Sequence, residues 1–385
     1  MKTLEKLASV FVLGALLSSC GGKKASTNTE SDGDSPRVEA YSFDVTENYL
    51  QTYTNSSCYA VATKLEGTDC MLAYNHQLHT IDIFDLVNKK PLKQVKLEKE
   101  GPNGINGVTG LFYYKNSFVL QTSYGYNRVG MDGNILSSWS KNDFLTSQEG
   151  FTTMVPDLGG YFNMYNFMGF DAKQGLVAFT IYKMEKENGE YPKKIVLLSC
   201  DDWSVLETID IAYPEQMKKE EKLALLGSIN ALPHGNEVIY NFPASAEIYV
   251  YNRTDKTVRS YPITSKFTEP YYRIEDPEDP EECGIINGFY FPLCYDACHK
   301  TFWRIQQRPT DVEKRQGVAG KSFSIIQISA DFKDSHEYLI PEDQKIHPSL
   351  LFTDKMILLP YQGGEKIGEN NICFYGLEWT AAPPA

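Results

Sequence analysis

The sequence predicts an all-β fold, a six-bladed β-propeller of four-stranded antiparallel blades, closed by an N-terminal strand that joins the last blade. Three observations carry it. An alternating apolar run, an Asp or Asn turn and a second alternating run recur along the chain. A further pair of strand-like runs stands before each such hairpin, which makes the repeating unit four strands. The last unit lacks its fourth strand, while an unmatched strand lies near the N-terminus.

In chain order, residues 1–19 have the zones of a signal peptide. Lys2 and Lys6 give a basic start, Leu7 to Leu17 is an apolar stretch, and Leu17-Ser18-Ser19 brings small residues before Cys20. A membrane span needs about 20 apolar residues, and this run stops short at Ser18. The Leu-Ser-Ser-Cys tetrapeptide resembles a bacterial lipobox, which implies cleavage before Cys20 and a lipid anchor on that thiol. Several acyl chains on one residue hold a protein to a bilayer far better than one chain does. The expected location is therefore the cell envelope, at the outer membrane, facing either the periplasm or the exterior. Residues 20–37 follow as a lipidated tether. From Gly21 to Arg37 there is no aromatic residue and no aliphatic one larger than alanine, so too little apolar surface exists to offset ordering.

The propeller domain is expected over residues 38–380. Val38 to Val45 is the unmatched strand. The hairpins are Ile81–Leu86 with Pro91–Leu97, Arg128–Met131 with Asn134–Trp139, Ile195–Leu198 with Val205–Ile211, Glu247–Tyr251 with Val258–Ile263, and Phe323–Ile328 with Glu337–Ile340. The inner pairs run from Cys58–Thr63 with Cys70–Tyr74 to Ser349–Phe352 with Lys355–Pro360. Units of about 50 to 65 residues argue for radial repetition. After Ile372–Leu377 the chain ends in Ala-Ala-Pro-Pro-Ala, and Val38–Val45 fits as the missing outer strand, leaving no long open edge. A β-sandwich or a seven-bladed ring could absorb similar runs. Pro214 to Leu226 predicts one short helix, and the acidic run Glu275 to Glu282 reads as a solvated linker without the glycine and spaced ligands of a calcium loop.

The net charge is −13, and removal of Lys2, Lys6 and Glu5 with the signal makes the chain one unit more acidic. Such a chain is a poor partner for nucleic acid, whose phosphates require Lys and Arg. Besides Cys20 there are Cys58, Cys70, Cys200, Cys283, Cys294, Cys298 and Cys373, an odd number that cannot all pair. Buried structural cysteines are the expectation, with a Cys283–Cys294 disulfide or a metal site at Cys-Tyr-Asp-Ala-Cys-His as alternatives.

The lipobox and tether resemble a known group, as do Glu100-Gly101-Pro102-Asn103-Gly104-Ile105 leading into Gly110-Leu111-Phe112-Tyr113 and the pair Asn241-Phe242-Pro243-Ala244-Ser245-Ala246-Glu247-Ile248-Tyr249-Val250-Tyr251. That group is the uncharacterised bacterial lipoproteins with TolB-like six-bladed propellers, family of unknown function 4221. The resemblance implies fold and location over about residues 40–378; it implies no activity and carries over no catalytic residue.

In a propeller the second-to-third strand connections and the blade-to-blade connections share one face. Here these segments hold Tyr126, Arg128, Gln307, Arg308 and Tyr361, a polar and aromatic set suited to a glycan or peptide. These five are expected to be partly exposed and to line one concavity. The expected role is a binding or scaffold module for a glycan, peptide or protein partner. The competing reading is a carbohydrate-active hydrolase or lyase with clustered carboxylates at the channel mouth. There is no Gly-x-Ser-x-Gly elbow, no His-Glu-x-x-His and no phosphate loop. His76 and His79 are expected on opposite strand faces, and His234 in a turn. No cofactor and no metal is expected.

Overall fold

A computed structural model describes residues 37–44, 60–153, 169–188, 190–219, 228–267, 288–308, 323–340, 346, 349–361 and 371–378. They form six antiparallel sheets, each wound outward from its first strand. Blade 1 is Ala60–Leu65, Thr68–Asn75, Thr80–Asp85 and Lys90–Lys96, and blade 2 is Val108–Tyr114, Ser117–Thr122, Gly125–Gly130 and Ile135–Ser140. Blade 3 has Leu176–Lys183, Lys193–Ser199 and Val205–Ile211, with its inner position shared by Phe151–Thr152 and Gly169–Asp171, both paired to Leu176–Lys183. Blade 4 is Asn230–His234, Glu237–Asn241, Glu247–Asn252 and Val258–Pro262. Blade 5 is Phe289–Asp296, Thr301–Gln307, Phe323–Ile328 and Ser335–Leu339.

Blade 6 takes Leu351–Phe352, Met356–Pro360 and Asn371–Glu378 from the C-terminal end and Arg37–Asp44 from the N-terminal end. The latter runs antiparallel to Asn371–Glu378, from Arg37 opposite Glu378 to Asp44 opposite Asn371.

The middle strands are buried from end to end, as in Thr80–Asp85, Ser117–Thr122, Thr301–Gln307 and Phe323–Ile328. Each blade face packs on a neighbouring blade, so both sides of a middle strand leave water. The outer strands Val258–Pro262 and Ser335–Leu339 are mostly exposed. Separate apolar layers result. Leu72, Ile83, Leu111 and Phe118 join blades 1 and 2; Ile239, Ile248, Phe302 and Ile326 join blades 4 and 5. Met71 and Phe84 meet Leu358 and Phe374 between blades 1 and 6.

Two expectations fall partly outside the described residues. The described part of the segment expected as a helix contains only the 3-10 turn Met217–Lys219, and residues 220–226 lie outside the described residues. The α-helix among the described residues is Lys141–Thr146, where the Ser140 side chain accepts the Asp143 N–H at 3.1 Å as an N-cap. The acidic run 275–282, Cys20, Cys58 and Cys283 also lie outside the described residues. Cys294 is a free thiol among the described residues, and the alternative of its disulfide with Cys283 falls on a residue outside them. Cys70 and Cys200 are buried as expected of structural cysteines, whereas Cys298 is exposed. Among the described residues no three metal-ligating side chains gather.

Candidate functional site

The strand directions define two faces. The upper face carries the second-to-third strand connections and the links between blades; the lower face carries the other turns. The lower face is tied together by polar contacts between blades. Asp354 of blade 6 accepts Lys64 Nζ of blade 1 at 2.7 Å and the Cys298 thiol of blade 5 at 3.1 Å. Asp171 of blade 3 accepts the Gly235 N–H of blade 4 at 2.9 Å, and the His234 ring lies 4.2 Å from that of Tyr295. His299 Nδ1 sits 2.6 Å from the buried Asp296 carboxylate. The Asp354, Asp171 and His234 contacts fix neighbouring blades to one another, while His299–Asp296 shapes a turn within blade 5.

The upper face is built differently. Asn75 Oδ1 accepts the N–H groups of Gln77 and Leu78, both at 3.1 Å, and this side-chain turn leaves Leu78 at the tip, 45% exposed. In blade 2, Thr122 Oγ1 accepts the N–H groups of Tyr124 and Gly125, both at 3.2 Å, and Tyr124 is left 67% exposed. A Cβ on Gly125 would stand 1.9 Å from the Trp139 carbonyl oxygen, so glycine is required for the chain to turn back there. In blade 3 the connection is pinned by the paired backbones of Glu187 and Glu190, and Met184 is 48% exposed. Between blades 4 and 5, Ser265 Oγ accepts the Phe267 N–H at 3.0 Å and donates to Glu337 at 2.7 Å, while Phe267 is 40% exposed. Three large apolar side chains, Leu78, Tyr124 and Met184, thus stand on turns fixed by polar or backbone hydrogen bonds on one face, and Phe267 joins them at the end of the described part of the link after blade 4.

The five side chains chosen from the sequence do not form one concavity. Tyr126 is fully buried, stacked between Trp139 and Trp203 at 5.7 and 6.0 Å, and its hydroxyl has no hydrogen-bond partner among the described residues. Burial pushes that phenol strongly upward. Gln307 is buried at the end of its strand. Arg128 follows Tyr126 on the same strand face and points toward the lower turns, donating to Ser117 Oγ at 2.9 Å with Asp201 Oδ1 at 3.9 Å. Two remain at the upper rim: half-buried Arg308, 5.5 Å over the Phe267 ring, and half-buried Tyr361, edge-on to Tyr375 at 5.0 Å. The physical reason is strand alternation. A residue one step beyond a turn is already a strand residue, and in a blade both strand faces are covered.

Among the described residues, the carboxylates with displaced proton affinity do not match a general acid. Lys115 holds Asp201, Lys64 holds Asp354 and Lys333 holds Asp331 below the usual range, in each case through a direct hydrogen bond. A proton-donating acid near neutral pH requires the opposite displacement.

Fold and site geometry together define a six-bladed propeller protein with an apolar-tipped upper face. A family model described as a domain of unknown function, DUF4221, matches residues 42–339, and the chain belongs to that family. The crystal structure of a family member from Bacteroides vulgatus is similar with 16% identity and a TM-score of 0.64, over 89% of this chain and 98% of that one. A putative exported protein from Bacteroides fragilis is similar with 10% identity and a TM-score of 0.53, over 88% and 94% of the two chains. At these identities the likeness is one of fold. No curated protein matches the chain.

Proposed function

We propose that this chain is an exported lipoprotein, anchored to the outer membrane through Cys20, whose propeller binds a glycan, peptide or protein partner on its upper face. The observation that carries the reading is the set of exposed tips Leu78, Tyr124, Met184 and Phe267 on four connections of one face. Apolar side chains held outward by fixed turns offer a partner desolvation and stacking area without an ordering cost. Arg308 beside Phe267 adds directional donors. The strand Arg37–Asp44 begins at the lower rim, where Glu378 pairs with both Arg37 and Met356.

The test has two arms. Cys20→Ala protein is expected in the soluble fraction; membrane retention of a normally processed Cys20→Ala protein would overturn the anchor. That soluble protein is then screened on glycan and peptide arrays, followed by a Leu78→Ser, Tyr124→Ala and Phe267→Ala triple variant. Capture should fall at least about ten-fold, with a melting temperature within a few degrees of the parent, because exposed tips contribute little to stability. Unchanged capture by the triple variant moves the binding site elsewhere.

A further inference from the structure

A histidine holds the upper turn of blade 1 to the link that leads into blade 2. His76 and His79, expected on opposite faces of a strand, both stand in the turn between Thr68–Asn75 and Thr80–Asp85. His79 directly follows the exposed tip Leu78 and is itself 4% exposed. Its φ of +57° lies in the left-handed region, which a residue with a Cβ keeps only where its surroundings hold it. The ring supplies that hold. Its Nε2 lies 3.1 Å from the Glu98 carbonyl oxygen, and its Nδ1 lies 2.8 Å from the Tyr74 hydroxyl. The backbone adds a third tie, since the His79 carbonyl accepts the Leu97 N–H at 3.0 Å.

These partners admit one protonation state. A carbonyl oxygen only accepts, so Nε2 carries the hydrogen, and Nδ1 is the lone pair that receives the Tyr74 O–H. A proton added at Nδ1 sets a donor against a donor. The phenol must then swing its hydrogen out of the contact, and burial, which pushes Tyr74 up, keeps it from ionising instead. The buried carboxylate at the base of the turn is already engaged: Asp82 accepts Thr80 Oγ1 at 2.6 Å, Gln94 Nε2 at 3.0 Å and Asn75 Nδ2 at 3.2 Å. The other titratable groups of the turn and the link, His76, Lys96, Glu98, Lys99 and Glu100, are exposed to water. The link held by the ring is organised around the same carbonyl. Glu98 O also accepts the Ile105 N–H at 2.8 Å, and Ile105 and Leu97 are buried in the apolar layer between blades 1 and 2.

We propose that His79 is a pH-operated latch on the upper face: the neutral ring closes the 75–80 turn onto the 97–106 link, and protonation of the ring opens it. In the open form both ring nitrogens donate to water, and the His79 backbone leaves the left-handed region. The open form takes up the proton without setting donor against donor, so acid shifts the population toward it. The latch stands on these contacts alone. Its consequence for capture, that the Leu78 tip loses its fixed position in acid, rests on the upper-face reading above.

The test is hydrogen–deuterium exchange of the intact chain at pH 7.5 and at pH 5, with labelling times scaled to the intrinsic exchange rate at each pH. The peptide spanning 97–106 contains the Leu97 and Ile105 amides and should lose protection at least about ten-fold at the lower pH, while Thr301–Gln307 in blade 5 keeps its protection. His79→Asn should abolish this response, because asparagine accepts the left-handed conformation and does not titrate; His76→Gln should retain it. Unchanged protection of 97–106 in the parent chain overturns the latch without recourse to any variant. An equal loss at Thr301–Gln307, which is general acid unfolding, overturns it too, as does a response that persists in His79→Asn. No partner takes part in the measurement, so failure here leaves the upper-face reading intact, and failure of array capture leaves the latch intact.

Discussion

A hydroxyl buried without a partner is a liability in the interior of blade 2. Tyr126 loses hydration at its oxygen and recovers only ring stacking on Trp139 and Trp203. Tyr126→Phe keeps the stack and removes the unsatisfied atom, so it should raise stability by about 1 kcal/mol in denaturant unfolding; a loss of similar size would mean that the oxygen is bonded in solution. Lys193, 2% exposed and without an acceptor at its Nζ among the described residues, makes a second case, with a pH signature. Its folded-state value near 7 lies below its unfolded value of 10.5. Between those limits the unfolded chain binds the extra proton, so this residue's contribution to stability rises with pH from about 7 to 10.5. Lys193→Met should therefore be more stable than the parent at pH 7, by a margin that shrinks as pH approaches 10, measured as melting temperature across that range. A pH-independent difference would contradict the depressed value. The same two residues mark what sequence does not reveal. The connection containing Tyr124-Gly125-Tyr126 was legible as an upper-face turn, but which tyrosine stands out depends on Thr122 capping Tyr124 and Gly125. Lys193 was indistinguishable from an exposed strand-end lysine, because its burial comes from Tyr213 on a different connection.

At the scale of elements, legibility follows burial. The hairpins centred on Asp85–Lys90 and Asn252–Val258 could be placed within a residue or two, since their second members alternate and their turns carry Asp or Asn. In blade 1, Asp85 Oδ1 accepts the N–H groups of Val87 and Asn88, both at 2.8 Å, which is the interaction that makes an aspartate a turn signal. Strands buried on both faces were found as apolar runs bounded by such turns, without alternation to orient them. This is why the blades were legible and the facing of Gln307 was not. The Lys141–Thr146 helix is too short to show a helical period, and its formation depends on the Ser140 cap and on Phe144 packing near Trp139 at 5.6 Å. The four exposed tips carry a different lesson. Loop polarity suggested amides and guanidinium groups as the site, whereas the polar side chains Asn75, Thr122 and Ser265 are occupied in shaping the turns and the apolar neighbours are left to meet a partner.

For the whole molecule, the decisive element is the sheet made from both ends of the chain. Blade 6 packs against blade 1 through Leu358, Ile372 and Phe374 on Met71 and Phe84, and it is held below by the Lys64–Asp354–Cys298 contacts. Its outer edge is covered by Arg37–Asp44 along the whole length of Asn371–Glu378. Deleting residues 37–44 removes that ladder and leaves the backbone of Asn371–Glu378 as an open edge, able to pair with another chain. The expected loss is on the order of several kcal/mol, a large share of the total for a folded domain, and it should appear as a lower denaturant midpoint together with concentration-dependent aggregation. Deleting residues 21–36, the stretch whose composition reads as a tether, leaves that ladder in place and should change neither quantity. The comparison separates closure from a general effect of shortening the N-terminus, because the 21–36 deletion removes more chain than the 37–44 deletion. Equal midpoints for the two deletions would mean that the three C-terminal strands hold the ring on their own and that Arg37–Asp44 is dispensable to it.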